Sequence, residues 1–380
     1  MIKYCKKCIM PNTKPDIIFN DDGICNACTN FENRKNIDWD QRKKDFEEII
    51  RNYKSDENWD CIIPVSGGKD STYQVIKILE LGLNPLCITS STCDLSDIGR
   101  NNIENLKKLG VDCIEVSPDP LIRKKLNQIG LREVGDISWP EHIGIFTIPI
   151  IMSVKFKIPL IIWGENSQNE YGGPLSSVEN NILDRKWLEE FGGLLGLRIS
   201  DLTNQNLINK NKILLYKYPS NEDLQKNKTT GIFLGHYFPW SGISNSILSQ
   251  AYGFSTFYKN VESTFVNYEN LDNYQVGIHD YFKYIKYGFG RATDIACLYI
   301  RREIIDRDTA IKIVEKTDGI FPWTYLDKKL ELILEKIDIE LDEFISICDS
   351  YTNKKLFEVD QDGNLLKQKN GNLIKKFKII

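Results

Sequence analysis

Cys61-Ile62-Ile63-Pro64-Val65 runs without a break into Ser66-Gly67-Gly68-Lys69-Asp70-Ser71. The apolar run ahead of the Gly-Gly step reads as a buried strand, and residues 71–81 read as a helix. Two glycines let the backbone turn sharply and bring its N–H groups close to an anion. The N-terminus of the helix adds a partial positive charge at the same spot. Ser66 and Ser71 supply hydroxyl donors, Lys69 a charge, and Asp70 a carboxylate suited to Mg2+. A capped Gly-Gly turn of no special function shares the glycines, but seldom the whole hexapeptide after a strand.

Outward from this segment the pattern repeats. Residues 85–89 read as a strand, 98–109 as a helix ended by Gly110, and 113–116 as a strand. A helix over 144–156 and a strand over 160–163 follow, and a polar helical stretch, 40–53, comes before. Strands alternating with helices imply an α/β fold with a doubly wound parallel sheet, whose ligands gather at the carboxyl ends of the strands. After about residue 237 the strand signal fades. Residues 272–287, 293–304, 307–315, 326–337 and 340–349 read as helices. The tail, with Asp362-Gly363-Asn364 and Asn370-Gly371-Asn372, reads as a small hairpin or a frayed end. The chain thus divides into a cysteine-bearing segment (1–36), an α/β domain (55–236) and a mainly helical region (237–380).

Lys+Arg 49 against Asp+Glu 53 gives a net charge of −4. That balance argues against a broad nucleic-acid footprint, which needs a clustered positive excess. A small anionic substrate needs only two or three placed cations and stays open. Met1-Ile2-Lys3-Tyr4-Cys5 leads into no apolar signal region. The greasiest stretch, 143–162, is interrupted by Thr147, Pro149, Ser153, Lys155, Lys157 and Pro159, so no membrane span is expected. A cytoplasmic location follows as the expectation, and in a reducing compartment the 10 cysteines suit metal or catalytic roles better than disulfides.

Cys5-x-x-Cys8 and Cys25-x-x-Cys28 have the spacing of a four-cysteine zinc site. Four thiolates meet the tetrahedral demand of Zn2+ and leave no open position, so the site is structural. Unrelated thiols and a redox or sulfur-carrying role are the alternatives; the latter needs access and lowered pKa values. Metal binding would supply folding energy to a segment too small for its own core. Cys61, Cys87, Cys93, Cys113, Cys297 and Cys348 are scattered singly and read as core residues.

Three further clusters bear on a substrate. Gly164-Glu165-Asn166 and Glu170-Tyr171-Gly172-Gly173 follow the strand at 160–163 and so fall at the ligand edge of the sheet. Glu165 and Asn166 could read adenine or bind the acceptor, and Glu170 could act as a base or Mg2+ ligand; an ordinary loop is the alternative. Thr89 and Ser90, closing the second strand, and Gly164 are assigned to the same nucleotide edge. Trp139-Pro140-Glu141-His142 precedes a helix, where His142 could be a general base or a capping or core residue. In Lys286-Tyr287-Gly288-Phe289-Gly290-Arg291-Ala292-Thr293-Asp294, Lys286 and Arg291 beside a helix start would suit an anion. A solvated glycine turn is the plain alternative.

The loop at 66–71 is not that of kinases and GTPases, which needs four residues between its glycines and then Lys-Ser/Thr. It resembles the pyrophosphate-binding loop of the ATP pyrophosphatase (adenine nucleotide alpha hydrolase-like) superfamily, whose members adenylate a substrate oxygen. Across nearly the whole chain, Cys5-Lys-Lys-Cys8-Ile-Met-Pro-Asn-Thr-Lys-Pro, Gly23-Ile-Cys25-Asn-Ala-Cys28, Ser66–Ser71, Trp163–Asn166, Glu170–Gly173 and Lys286–Asp294 resemble the N-acetyl sugar amidotransferases. The PseA and WbpG proteins of bacterial pseudaminic-acid, legionaminic-acid and O-antigen or flagellin-glycan pathways are members. The resemblance implies ATP, Mg2+ and structural Zn2+, and conversion of an acetamido group of an N-acetyl sugar to an acetamidino group. An O-adenylyl imidate would be attacked by ammonia with help from Glu165, Glu170 or His142.

Cys5 is taken up by the zinc pattern, and no cysteine sits in a Gly-x-Cys-x-Gly elbow, so glutamine hydrolysis by this chain is not expected. Ammonia would come from a separate glutaminase with a cyclase-like partner, or from free ammonium. A tRNA-thiolating ATP pyrophosphatase and a zinc-ribbon adaptor with a decayed loop are the rival readings.

Overall fold

Pro64 closes β1 (Cys61–Pro64), and the chain turns at once through the Gly-Gly step into the helix Lys69–Glu80. The computed structural model describes residues 2–173, 182–183, 193–204 and 208–379. The remaining strands are β2 (Pro85–Ser90), β3 (Asp112–Val116), β4 (Leu160–Trp163) and β5 (Thr230–Phe233). They form one parallel sheet in the order β3-β2-β1-β4-β5. The protein is therefore α/β, as the alternation of strands and helices implies.

Both faces of the sheet are covered, which explains why its strands read as unbroken apolar runs. Cys61, Ile63, Leu160 and Ile162 face one core with Val75 and Ile78 of the helix Lys69–Glu80. Ile62, Ile161 and Trp163 face the other, with Ile148 and Ile150 of the helix Trp139–Phe156. Chain order runs outward from β1 to β2 and β3 on one side and to β4 and β5 on the other. The crevice between the carboxyl ends of β1 and β4 is thus the topological switch point where ligands of such sheets bind.

Several elements depart from the sequence reading. The helix expected over 144–156 begins at Trp139, with Pro140 and Glu141 in its first turn, so Trp139-Pro140-Glu141-His142 lies inside it. Proline is tolerated there because the first N–H groups have no intrahelical partner. β5 was not foreseen: it is four residues long and contains Gly231, where a Cβ would come 2.7 Å from the Trp163 indole nitrogen. The helix expected over 326–337 shrinks to Leu330–Glu335. Ahead of it Thr324–Tyr325 and Lys328–Lys329 pair antiparallel around Leu326 and Asp327, both at positive φ. Two left-handed residues in succession define a tight hairpin turn and are incompatible with a helix. In the tail, bridges Val359–Leu365 and Lys367–Leu373 fold back at Gly363 and Gly371, the hairpin alternative.

The helices Val276–Tyr287, Leu330–Glu335 and Leu341–Tyr351 share a separate core through Phe282, Ile285, Leu330, Leu334 and Phe344. The N-terminal cysteine segment does not stand alone. Its cysteines, Ile9 and Met10 share a core with Phe289, Ala292, Ala296, Cys297, Ala310 and Val314, from the region of the helices Arg291–Arg301 and Arg307–Thr317.

Candidate functional site

Gly67 takes φ +80°, and a Cβ on it would lie 2.9 Å from the Ile103 backbone nitrogen. Only glycine fits this turn without displacing the neighbouring helix. Gly68 caps the helix Lys69–Glu80; its N–H donates to Ser66 Oγ (3.3 Å), and Ser71 Oγ donates to its carbonyl (3.0 Å). Lys69 Nζ donates to Asp70 Oδ2 (2.7 Å) and to Glu269 Oε1 (2.7 Å). Burial alone would lower the Lys69 pKa, but the two carboxylates outweigh it and hold the ammonium well above its ordinary value. Asp70 Oδ1 accepts from Asn245 Nδ2 at 2.8 Å, and Ser249 Oγ donates to the Lys69 carbonyl at 2.7 Å. Asn245 and Ser249 lie on the helix Gly242–Ala251.

Glu165 follows β4 across the switch point. Burial first, then the nearby charge of Asp70, pushes its carboxyl up to about 8. Gly164 lets Trp240 approach: a Cβ would meet its ring at 3.2 Å. Asn166 caps the short helix Ser167–Tyr171, accepting from Gln168 N at 3.0 Å.

Glu170, expected as a base or metal ligand, is held by two arginines. It pairs with Arg34 and accepts from Arg302 Nη2 at 3.2 Å, with its side chain 6% exposed. Its backbone carbonyl accepts from Arg301 at 3.1 Å. It therefore ties the N-terminal segment to the helix Arg291–Arg301. Thr89 is buried and donates to the Val65 carbonyl, bracing the loop from beneath. Ser90 packs against Gly144, where a Cβ would come 2.7 Å from its hydroxyl.

His142, Lys286 and Arg291 do not join the loop; they line a cavity of about 420 Å³ that also takes in Lys14, Tyr171 and His279. Lys286 Nζ donates to the carbonyls of Val134 (2.6 Å) and Gly135 (2.9 Å). Arg291 grips both oxygens of Asp280, at 3.2 and 2.8 Å. His142 and His279 flank Asp136, Nδ1 of each lying 3.3 and 2.8 Å from its two oxygens. Burial opposes charge on Asp136, yet the two histidines hold its pKa well below the ordinary range, and Asp136 in turn raises that of His142. Tyr171 lines the cavity while its phenol feels Glu269, Glu165 and Arg291, so the cavity and the loop are neighbours.

Glu269, Asn245, Asp136 and His279 were missed by the sequence reading. That His279 meets His142 on one carboxylate is set by tertiary packing and has no local signal.

Cys5, Cys8, Cys25 and Cys28 are fully buried, with all four Sγ atoms within 4.8 Å of one another. Backbone N–H groups of Cys25 (3.2 Å) and Cys8 (3.4 Å) donate to Cys5 Sγ, and that of Met10 (3.4 Å) to Cys8 Sγ. Such bonds stabilise thiolates, and the donor set fits a closed tetrahedral zinc site. Cys297 packs beside Cys8 as a fifth buried thiol, and the Arg301 guanidinium offsets the cluster's negative charge.

Among the described residues no helix is long and apolar enough to cross a membrane. No curated protein matches the chain. Residues 262–370 match the family model described as LPS biosynthesis protein WbpG-like, C-terminal domain. That stretch contains Glu269, His279, Lys286 and Arg291, joining the loop and the cavity to one family region, and its description points to a sugar-modifying biosynthetic enzyme. Residues 262–370 are thus similar to the C-terminal domain of WbpG-like LPS biosynthesis proteins, which supports the WbpG/PseA-like family that the chain's motifs resemble.

Proposed function

We propose that the protein is an ATP-dependent amidotransferase that converts an acetamido group of an N-acetyl sugar to an acetamidino group, in the cytoplasm. The observation that carries this reading is the placement of Ser66–Ser71 and Glu165 on opposite sides of the β1/β4 switch point, with Lys69 tied to Glu269 of the WbpG-like region.

The loop's N–H groups, Ser66, Ser71 and Lys69 are arranged to hold the phosphates of ATP. Asp70 is the residue to hold Mg2+, which would neutralise the departing pyrophosphate. Gly164 and Asn166 border the same crevice. An amide carbonyl is a poor electrophile, so its oxygen first attacks the α-phosphorus and pyrophosphate leaves. Ammonia then adds to the imidate carbon, the C–O bond to AMP breaks, and the surplus proton passes to a base. Glu165 fits that role best. Glu170 is occupied by arginines, and His142 faces the adjoining cavity. The cavity, lined by aromatic rings and by Lys14, Lys286 and Arg291, is the place for the sugar. The four cysteines would hold Zn2+ as a structural ion, and ammonia would come from a separate glutaminase with its cyclase-like partner or from free ammonium.

The test is incubation with ATP, Mg2+, ammonium and N-acetyl sugars, free, nucleotide-linked or lipid-linked. The expected result is AMP, pyrophosphate and a sugar lighter by about one mass unit, as O is exchanged for NH. Pyrophosphate formed only with tRNA would replace this reading with tRNA thiolation.

A further inference from the structure

Two of the protein's three histidines meet on one carboxylate. Asp136 follows a left-handed turn at Gly135, His142 lies in the helix Trp139–Phe156, and His279 lies in the helix Val276–Tyr287. Their ligating atoms all lie within 4.8 Å of one another. Asp136 is only 5% exposed, and among the described residues its ion-pair partners are these two rings, with no lysine or arginine beside them. A buried carboxylate needs a compensating cation, which here is either a protonated imidazole or a metal ion held between the same groups. Lys286 is close at hand but directs its ammonium to the Val134 and Gly135 carbonyls.

Hydrogen bonding does not complete the cluster either. Asp136 Oδ1 takes the His279 bond and one from Ser138 N at 2.9 Å. Among the described residues, Nδ1 of His142 is buried and makes no aligned hydrogen bond, although it lies 3.3 Å from Oδ2 and beside the Gly193 backbone. Gly193 presses on it from the other side, leaving no space for a Cβ: one would come 2.8 Å from Nδ1. Once its proton is released, a ring nitrogen so placed, beside a carboxylate and a second imidazole, is what a metal ion satisfies.

We propose that Asp136, His142 and His279 bind a divalent first-row metal ion in the wall of the cavity, separate from the four-cysteine site. Two imidazoles and one carboxylate form a set that suits Zn2+, Co2+, Fe2+ or Mn2+ and leaves coordination positions open. All three residues line the cavity, so the open positions face the molecule bound there. Of the cavity's cations, Arg291 and Lys283 are neutralised by Asp280 and Asp294. Lys14 donates to the carbonyls of Gly172 (2.7 Å) and Pro15 (3.1 Å), and Lys286 likewise donates to carbonyls. Lys14 and Lys286 are balanced by Asp16 and Asp136 of the same wall, so a bound dication would make it net positive, and the metal's open positions would take an anionic oxygen. This inference is independent of the adenylating reading: it concerns metal binding alone, and its failure leaves that reading intact.

The test is Co2+ titration of the full-length protein with zinc already held at the cysteines, followed by absorption and by metal analysis after dialysis. The expected result is one further metal with weak d–d bands and no thiolate charge-transfer band. Asp136→Asn and His279→Ala should weaken it more than about tenfold, since even an outer partner of a ligand costs about that much. Asp70→Asn should leave it unchanged. His279→Gln retains an N–H donor for Asp136 and so guards against misfolding; it too should lose the metal while keeping its zinc and its helicity. Absence of Co2+ binding, or binding that survives both Asp136→Asn and His279→Gln, would overturn the proposal.

Discussion

Lys69 in the loop after β1 donates to Glu269 at 2.7 Å, and that contact helps join the carboxyl edge of the sheet to the WbpG-like region. The lysine side chain is 8% exposed and lies between two carboxylates. Lys69→Ala would leave Asp70 and Glu269 facing each other without a cation. Breaking a buried pair on one side costs about 3–5 kcal/mol, so denaturant melts should show a loss near the lower figure. Pyrophosphate release should fall by about 10²–10³, the loss typical when a preorganised phosphate contact is removed. Release that survives Lys69→Ala in a folded protein would count against the loop's role.

Glu165 sets a pH dependence. Its carboxyl is pushed from 4.5 to about 8, so at neutral pH it carries a proton and cannot accept one. As the base it would make kcat/KM rise through about pH 8, because that ratio reports the free enzyme. Glu165→Gln should be slow at every pH and lack the rise. The sign for stability is the reverse. A raised carboxyl pKa favours the folded state at low pH, and that contribution fades as pH climbs from 4.5 to about 8. Glu165→Gln should gain on the wild type in melting temperature over this window; a difference independent of pH would contradict the shift.

Glu170→Gln separates anchoring from catalysis. The substitution leaves Arg34 and Arg302 without their carboxylate, and it should lower the melting temperature while kcat at saturating substrate changes less than about tenfold. A fall of 10² or more with stability intact would return Glu170 to the role of base.

Zinc removal should reach beyond the cysteine knuckles. Their core is shared with Phe289, Ala292, Ala296, Ala310 and Val314, and Arg307 Nε donates to the Cys8 carbonyl at 3.1 Å. Chelation should therefore raise hydrogen exchange in the helices Arg291–Arg301 and Arg307–Thr317 as well as in residues 2–36, with β1–β3 unaffected. Exchange confined to residues 2–36 would show that the shared core holds without metal.

What the sequence by itself determined is local. The β1-to-helix turn was legible because Cys61–Asp70 carries its strand, its two glycines and its helix start in one short run. The cysteine quartet was legible because each knuckle is a four-residue pattern, and the structure does bring its four Sγ atoms together. The parallel sheet followed from alternating periodicities, except β5, whose four residues and central glycine carry too little of either.

Only the tertiary structure decided which charges meet. Glu170 looked like a catalytic group in sequence because it follows a buried strand, yet Arg34 and Arg302, from distant elements, consume its charge. Lys286 and Arg291 looked like free anion binders beside a helix start, yet two backbone carbonyls and Asp280 claim them. Glu269 at Lys69, and Asp136 between His142 and His279, have no sequence signature at all. Side-chain periodicity reports only a residue's own turn of helix or strand, whereas these pairings depend on how elements far apart in the chain pack.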